Sequence, residues 1–137
     1  MNLIYTQLLQ LHNSFIGAAK LAHWNVVGAD FYQNHLLFEL VYSKIEAHLD
    51  GLAEQIRALG VEIPASVFNS VPELDWETSQ DLHRALLGEL DELTRGVLRA
   101  REEADEDRLY GLVASLDNLV SDCNSVKYLL RSAMASD

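Results

Sequence analysis

The sequence predicts an all-α protein: a four-helix bundle made of two helical hairpins joined by a long crossover. Three observations carry this. Apolar residues recur at spacings of three and four through most of the chain. The chain has only seven glycines and two prolines against 49% hydrophobic residues. Both prolines fall in one internal stretch, "VEIPASVFNSVPEL", residues 61–74. At 137 residues, 1–137 is expected to form one domain with its own core.

The elements follow in order. Leu8, Leu11, Phe15, Ala18, Ala19 and Ala22 mark one face of a first helix from about Leu3 to Val26. Gly28 ends it. Asp30 is the expected N-cap of a second helix, with Gln33 three residues on as in a capping box. That helix is expected to run unbroken to Leu59 and stop at Gly60, about 45 Å in length. The proline-bearing stretch is the crossover, with one short helix near Ala65–Asn69. Asp75 or Thr78 caps a third helix reaching about Glu102. The acidic run Glu102 to Asp107 holds the next turn. A fourth helix, with Leu109, Leu112, Leu116, Leu119, Val126 and Leu130 in helical spacing, extends to Met134. Short turn, long crossover, short turn is the ferritin-like form of a four-helix bundle.

Composition narrows the function. The net charge is −11, residues 1–19 contain no Lys or Arg, and the last ten hold only Arg131. Gripping DNA phosphates through a charged tail is therefore not expected. No stretch reaches the length and apolarity of a membrane span, and no basic, then apolar leader opens the chain. A single cysteine, Cys123, rules out an internal disulfide framework and fits a reducing cytosol.

The second helix carries the chemistry. His35, Glu39, Asp50 and Glu54 are threaded among its leucines, with His23 just upstream. In an antiparallel hairpin turning at Gly28, His23 and His35 sit at similar heights. Glu39 lies one turn beyond His35 on the same face, so the three could converge on one cation. Asp50 lies fifteen residues past His35, about 22 Å along the axis, and metal–ligand bonds are about 2 Å. One metal cannot join both ends within a chain. Two copies of the helix meeting antiparallel across a twofold axis would place Asp50 and Glu54 of one beside His23 and His35 of the other. Such a nitrogen and oxygen set suits Fe(II), Mn(II) or Zn(II). Glu-x-x-His motifs, the mark of a di-iron centre within one bundle, are absent. His12, His48 and His83 are expected to be structural or solvated, Glu46, Glu89 and Glu92 solvated, and Trp24 and Trp76 core aromatics by default.

The same residues carry a family pattern. H-W-x3-G-x2-F-x3-H-x2-F-x3-Y is filled by His23, Trp24, Gly28, Phe31, His35, Phe38 and Tyr42. D-x2-A-E-x4-L-G is filled by Asp50, Ala53, Glu54, Leu59 and Gly60. Residues 21–60 closely resemble the mini-ferritins, the family of the DNA-binding protein from starved cells (Dps). The resemblance implies a hollow shell of twelve subunits, a dodecamer. It implies a ferroxidase that oxidises Fe(II), with hydrogen peroxide preferred to dioxygen, stores the ferric product and protects against oxidative stress. It places His23, His35 and Glu39 of one subunit with Asp50 and Glu54 of its partner at a twofold interface. It puts Trp24 beside the site as a residue that takes up oxidising equivalents. Glu39 stands where the family has Asp. Its acidic threefold pores make Asp105, Glu106, Asp107 and Asp117 candidates, and its lysine-rich tail is absent here. A ferritin-like shell without turnover and a DNA-compacting protein are the alternatives.

Overall fold

A computed structural model describes residues 3–134. The elements are α1 (Leu3–Asn25), α2 (Phe31–Glu46), α3 (Leu49–Ala58), a 3₁₀ turn (Ala65–Phe68), α4 (Ser79–Glu106) and α5 (Tyr110–Met134). The described residues contain no strand. α1 packs on α2 and α4, α4 packs on α5, and α2 and α3 touch α5. This is the expected pair of hairpins with a crossover. The core is the apolar stripe of each helix: Leu8 and Phe15 meet Phe38, Ile45, Leu86, Leu90, Leu116 and Val126, each 1% exposed or less. Trp76 is half-buried and packs against this core. Trp24 does not; it is 67% exposed.

The ends of the helices follow local chemistry. Thr78, not Asp75, caps α4: its hydroxyl accepts from the Asp81 N–H while the Asp81 carboxylate accepts from the Thr78 N–H, a complete capping box. At α2 the expected box of Asp30 and Gln33 is not made, and Asp30 has no side-chain cap bond. The acidic run does not hold the turn either. α4 continues through it to Glu106, because Ala104 is buried there and glutamates are good helix formers. The chain reverses at Asp107–Leu109, with Arg108 left-handed at φ 60°. The Leu109 N–H bonds to the Ala104 carbonyl and the Arg108 N–H to that of Asp105, which is a Schellman closure.

The expected long helix is broken. Between α2 and α3, Ala47 and His48 form a tightened turn in which the His48 N–H bonds to Ile45, three residues back instead of four. The cause lies on α1. His12 is fully buried, and its Nε2–H donates to the Ile45 carbonyl at 2.7 Å. A side chain has entered the backbone ladder, a known origin of helix breaks. A carbonyl can only accept, so Nε2 carries the proton, and Nδ1 is left buried without a partner.

Burial pushes the His12 pKa down to about 4, helped by nearby His48. An unfolded imidazole has a pKa near 6.5. The depressed value means His12 stability is present above about pH 6.5 and is lost as pH falls toward 4. His12→Gln keeps a donor and cannot titrate. Denaturant titrations at pH 7 and pH 4.5 should therefore show the wild type losing about 2–3 kcal/mol more than His12→Gln between the two. Equal losses would show that His12 is already charged in the folded state.

Candidate metal centre

Gly28, at φ 108°, makes the α1–α2 turn that only glycine adopts without strain. The turn sets His23 opposite His35. Their rings stack with centroids 3.8 Å apart and an interplanar angle of 16°. Each ring bonds to the other residue's backbone: His23 Nδ1–H donates to the His35 carbonyl at 2.7 Å, and His35 Nδ1–H donates to the His23 carbonyl at 2.8 Å. Both Nδ1 protons are thereby committed, so in the neutral rings both Nε2 atoms keep a free lone pair. A metal-ligating imidazole is held in this way, its other nitrogen donating to a carbonyl or carboxylate.

Other rings complete a column. Phe31 stacks on His35 at 4.9 Å, and Tyr42 meets His23 edge-on at 5.6 Å. Lys20 lies over the Tyr42 ring at 5.4 Å and pairs with Glu46 at 3.4 Å. Phe31 and Tyr42 are part of the sequence pattern, but only the fold shows that they flank the imidazoles. Lys20 gave no signal beyond its place three residues before His23.

His23 is buried, His35 half-buried, and Glu39, Asp50 and Glu54 exposed. Glu39 is on α2; Asp50 and Glu54 are on α3, beyond the break. Among the described residues, no group of three or more His, Cys, Asp or Glu side chains gathers to hold a metal within one chain. The subunit therefore unites the two imidazoles, but Glu39 does not complete a three-donor set with them as the hairpin spacing had suggested.

The remaining candidates separate cleanly. His83 is buried against Phe38 and donates Nδ1–H to Ser79. His48 is held by Asp122 at 2.6 Å. Glu89 is not a plain solvated carboxylate: burial raises its pKa and Ser14 bonds to it. Glu92 pairs with Arg95, and Glu46 with Lys20. Asp117 is taken by Arg101 at 2.7 Å, while Asp105, Glu106 and Asp107 are exposed.

An exposed apolar stripe adjoins the imidazoles. Tyr32, Leu36 and Leu40 follow at intervals of four on α2, 70%, 43% and 51% exposed, with Trp24 nearby in sequence to His23.

Two antiparallel hairpins, a crossover and a paired-imidazole site at the first hairpin define a ferritin-like bundle. A family model described as a ferritin-like domain matches residues 6–134. "DNA protection during starvation protein 2" of Bacillus anthracis is 30% identical over 108 residues, 69% of this chain and 74% of that one. The "DNA protection during starvation protein" of Brevibacillus brevis is 29% identical over 90 residues, 61% of this chain and 60% of its own length. The crystal structure of the Dps protein from Vibrio cholerae O1, "a member of a broad superfamily of ferritin-like diiron-carboxylate proteins", superposes with a TM-score of 0.83 over 96% of this chain and 87% of that one, at 20% identity. That last likeness is one of fold. The chain belongs to the ferritin-like superfamily and, within it, to the Dps mini-ferritins.

Gly28→Ala tests how far the turn holds the imidazoles in register. A Cβ there meets no neighbour, so the cost is backbone strain alone. It should lower unfolding free energy by about 1–2 kcal/mol in denaturant titration. An unchanged midpoint would mean that the turn relaxes freely.

Proposed function

We propose that this protein is a ferroxidase and iron store that consumes hydrogen peroxide, with its centre shared between two subunits. The observation that carries this is the reciprocal His23–His35 pair, which leaves two Nε2 donors free beside an exposed apolar stripe. The family to which the chain belongs, and the diiron-carboxylate description of the Vibrio cholerae fold relative, support iron as substrate and cargo.

Two α2–α3 segments would cross antiparallel on a twofold axis near Ser43, midway between His35 and the Asp50–Glu54 pair. Ser43 and Ala47 are small and exposed there, so two backbones can approach closely. The stripe of Tyr32, Leu36 and Leu40 would be covered by the second copy. Each of the two centres would then combine His23, His35 and Glu39 of one subunit with Asp50 and Glu54 of the other. The wider assembly is a closed homo-oligomer, a dodecamer as the resemblance implies.

In the centre, the imidazole nitrogens and carboxylates would hold Fe(II), and the carboxylates would balance the added charge of Fe(III). Glu54, whose carboxylate has two oxygens, would be the ligand shared between two irons. Each iron gives one electron: two Fe(II), one hydrogen peroxide and two protons yield two Fe(III) and two waters. The O–O bond receives both electrons in one event, so no hydroxyl radical is released. Exposed Trp24, next in sequence to His23, takes up a stray oxidising equivalent. Lys20 sits over the Tyr42 ring and pairs with Glu46. The net charge of −11 disfavours DNA as a partner, and buried Cys123 fits a reducing cytosol.

Anaerobic Fe(II) loading followed by peroxide is the direct experiment. Ferric absorbance should appear at about two irons per peroxide, and the product should elute with the protein on gel filtration. Oxidation no faster than in buffer would leave a shell without turnover. Sharing has its own test. His35→Ala and Asp50→Ala chains should each be inactive, yet a reassembled mixture should regain activity, because some interfaces then carry one intact centre. Mixed assemblies without activity would refute a shared centre.

A further inference from the structure

We propose that His12 and His48 are positioning residues for the iron centre, because together they fix the break at Ala47–His48 that separates its two halves. This rests on the two-subunit reading of the centre given above. His35 and Glu39 lie on α2, before the break; Asp50 and Glu54 lie on α3, after it. In a twofold pair, the angle between α2 and α3 decides whether the partner copy's carboxylates arrive at the imidazoles.

Two grips hold that angle from different sides. The first comes from α1: His12 Nε2–H occupies the Ile45 carbonyl and holds the ladder open. The second comes from α5. Asp122 sends one carboxylate oxygen to His48 at 2.6 Å and the other to Lys44 at 3.5 Å. Lys44 is in the last turn of α2, and His48 immediately precedes α3. One carboxylate therefore clamps both sides of the break to one point. Gln55 adds a hold further along α3, donating to Ser115 at 2.8 Å.

The leverage is sufficient to matter. Glu54 lies six residues past His48, about 9 Å along the helix. A change of 10° at the break would displace it by about 1.5 Å. A misplacement of about 1 Å at a reacting centre can cost a factor of 100. Core filling alone does not account for His12, since its Nδ1 is buried with no partner. An apolar side chain of similar volume would avoid that cost.

The test uses Co(II), a redox-stable stand-in, on the assembled protein. Binding isotherms and visible d–d spectra are measured for the wild type, His35→Ala, Asp122→Ala, Asp122→Asn and His12→Leu. Gel filtration and circular dichroism confirm assembly and helicity. Asp122→Ala should bind Co(II) at least tenfold more weakly with a changed spectrum, the range found for groups that orient metal ligands from behind. Asp122→Asn, which can still accept from His48, should recover most of the affinity. His12→Leu should weaken binding as Asp122→Ala does. The Fe(II) concentration for half-maximal oxidation should rise by the same factors. If His35→Ala binds Co(II) as the wild type does, the centre itself is misassigned. If His35→Ala abolishes binding but Asp122→Ala assembles and binds as tightly as the wild type, the centre stands and the positioning role fails.

Discussion

The exchange of hydrogen bonds between His23 and His35 is the constraint around which the first hairpin is arranged. Each imidazole donates to the other's backbone carbonyl, so neither ring can turn without losing the partner of its own Nδ1–H, and turning His35 also strands the His23 carbonyl in the last turn of α1. The exchange ties two helices together and fixes both tautomers at once. It needs the tight reversal at Gly28 to bring the two carbonyls to the same height. It also explains how polar rings are tolerated on elements otherwise built from Leu, Ala and Phe. Their donors are satisfied, and their faces are covered by one another, by Phe31 and by the edge of Tyr42.

The polar groups of this bundle fall into two sets. His12, His83 and Cys123 lie in the core, and burial disfavours their charged forms; the Cys123 thiol is pushed up to about 11. Burial therefore favours the neutral form of each. Glu39, Asp50 and Glu54 lie exposed on α2 and α3, where a cation can reach them. Between the sets stand His23 and His35, with one nitrogen bound inward and the other free. Burial keeps the core groups neutral, while the partly exposed ion pairs Lys44–Asp122 and Arg101–Asp117 bridge neighbouring helices.

Much of this was legible in the sequence, for physical reasons. Helical periodicity fixes which face of α1, α4 and α5 is buried, and the two prolines confine the crossover. The His23–His35 pairing follows from the short turn, since the five residues from Val26 to Asp30 leave an antiparallel hairpin little freedom of register. What the sequence hid depends on contacts between distant elements. The break in the long helix needs a carbonyl on α2 and an imidazole on α1, thirty-three residues apart. Position 12 taken alone reads as an ordinary histidine on an apolar face. The α4–α5 turn was misplaced because charge suggested a loop, while buried Ala104 and the Schellman closure at Arg108 carry the helix four residues further. Trp24 was misplaced because its size suggests a core, whereas it sits at the exposed end of α1.

His12 shows how the fold and the centre compete. A leucine there would remove an unpartnered buried nitrogen, which costs about 1–3 kcal/mol. It would leave the Ile45 carbonyl free to accept from Leu49, as in any unbroken helix, and would remove the stability lost on acidification. On packing grounds alone the isolated subunit would be better served by the apolar residue. The one thing such a helix would lack is the break, and with it the present placement of Asp50 and Glu54 relative to His35. Local rules are given up at functional sites and met elsewhere. The surrounding core, from Leu8 through Phe38 to Val126, is fully buried. On the proposed reading, the stability given up at position 12 would measure how much a shared centre depends on the angle between two short helices that the sequence presents as one.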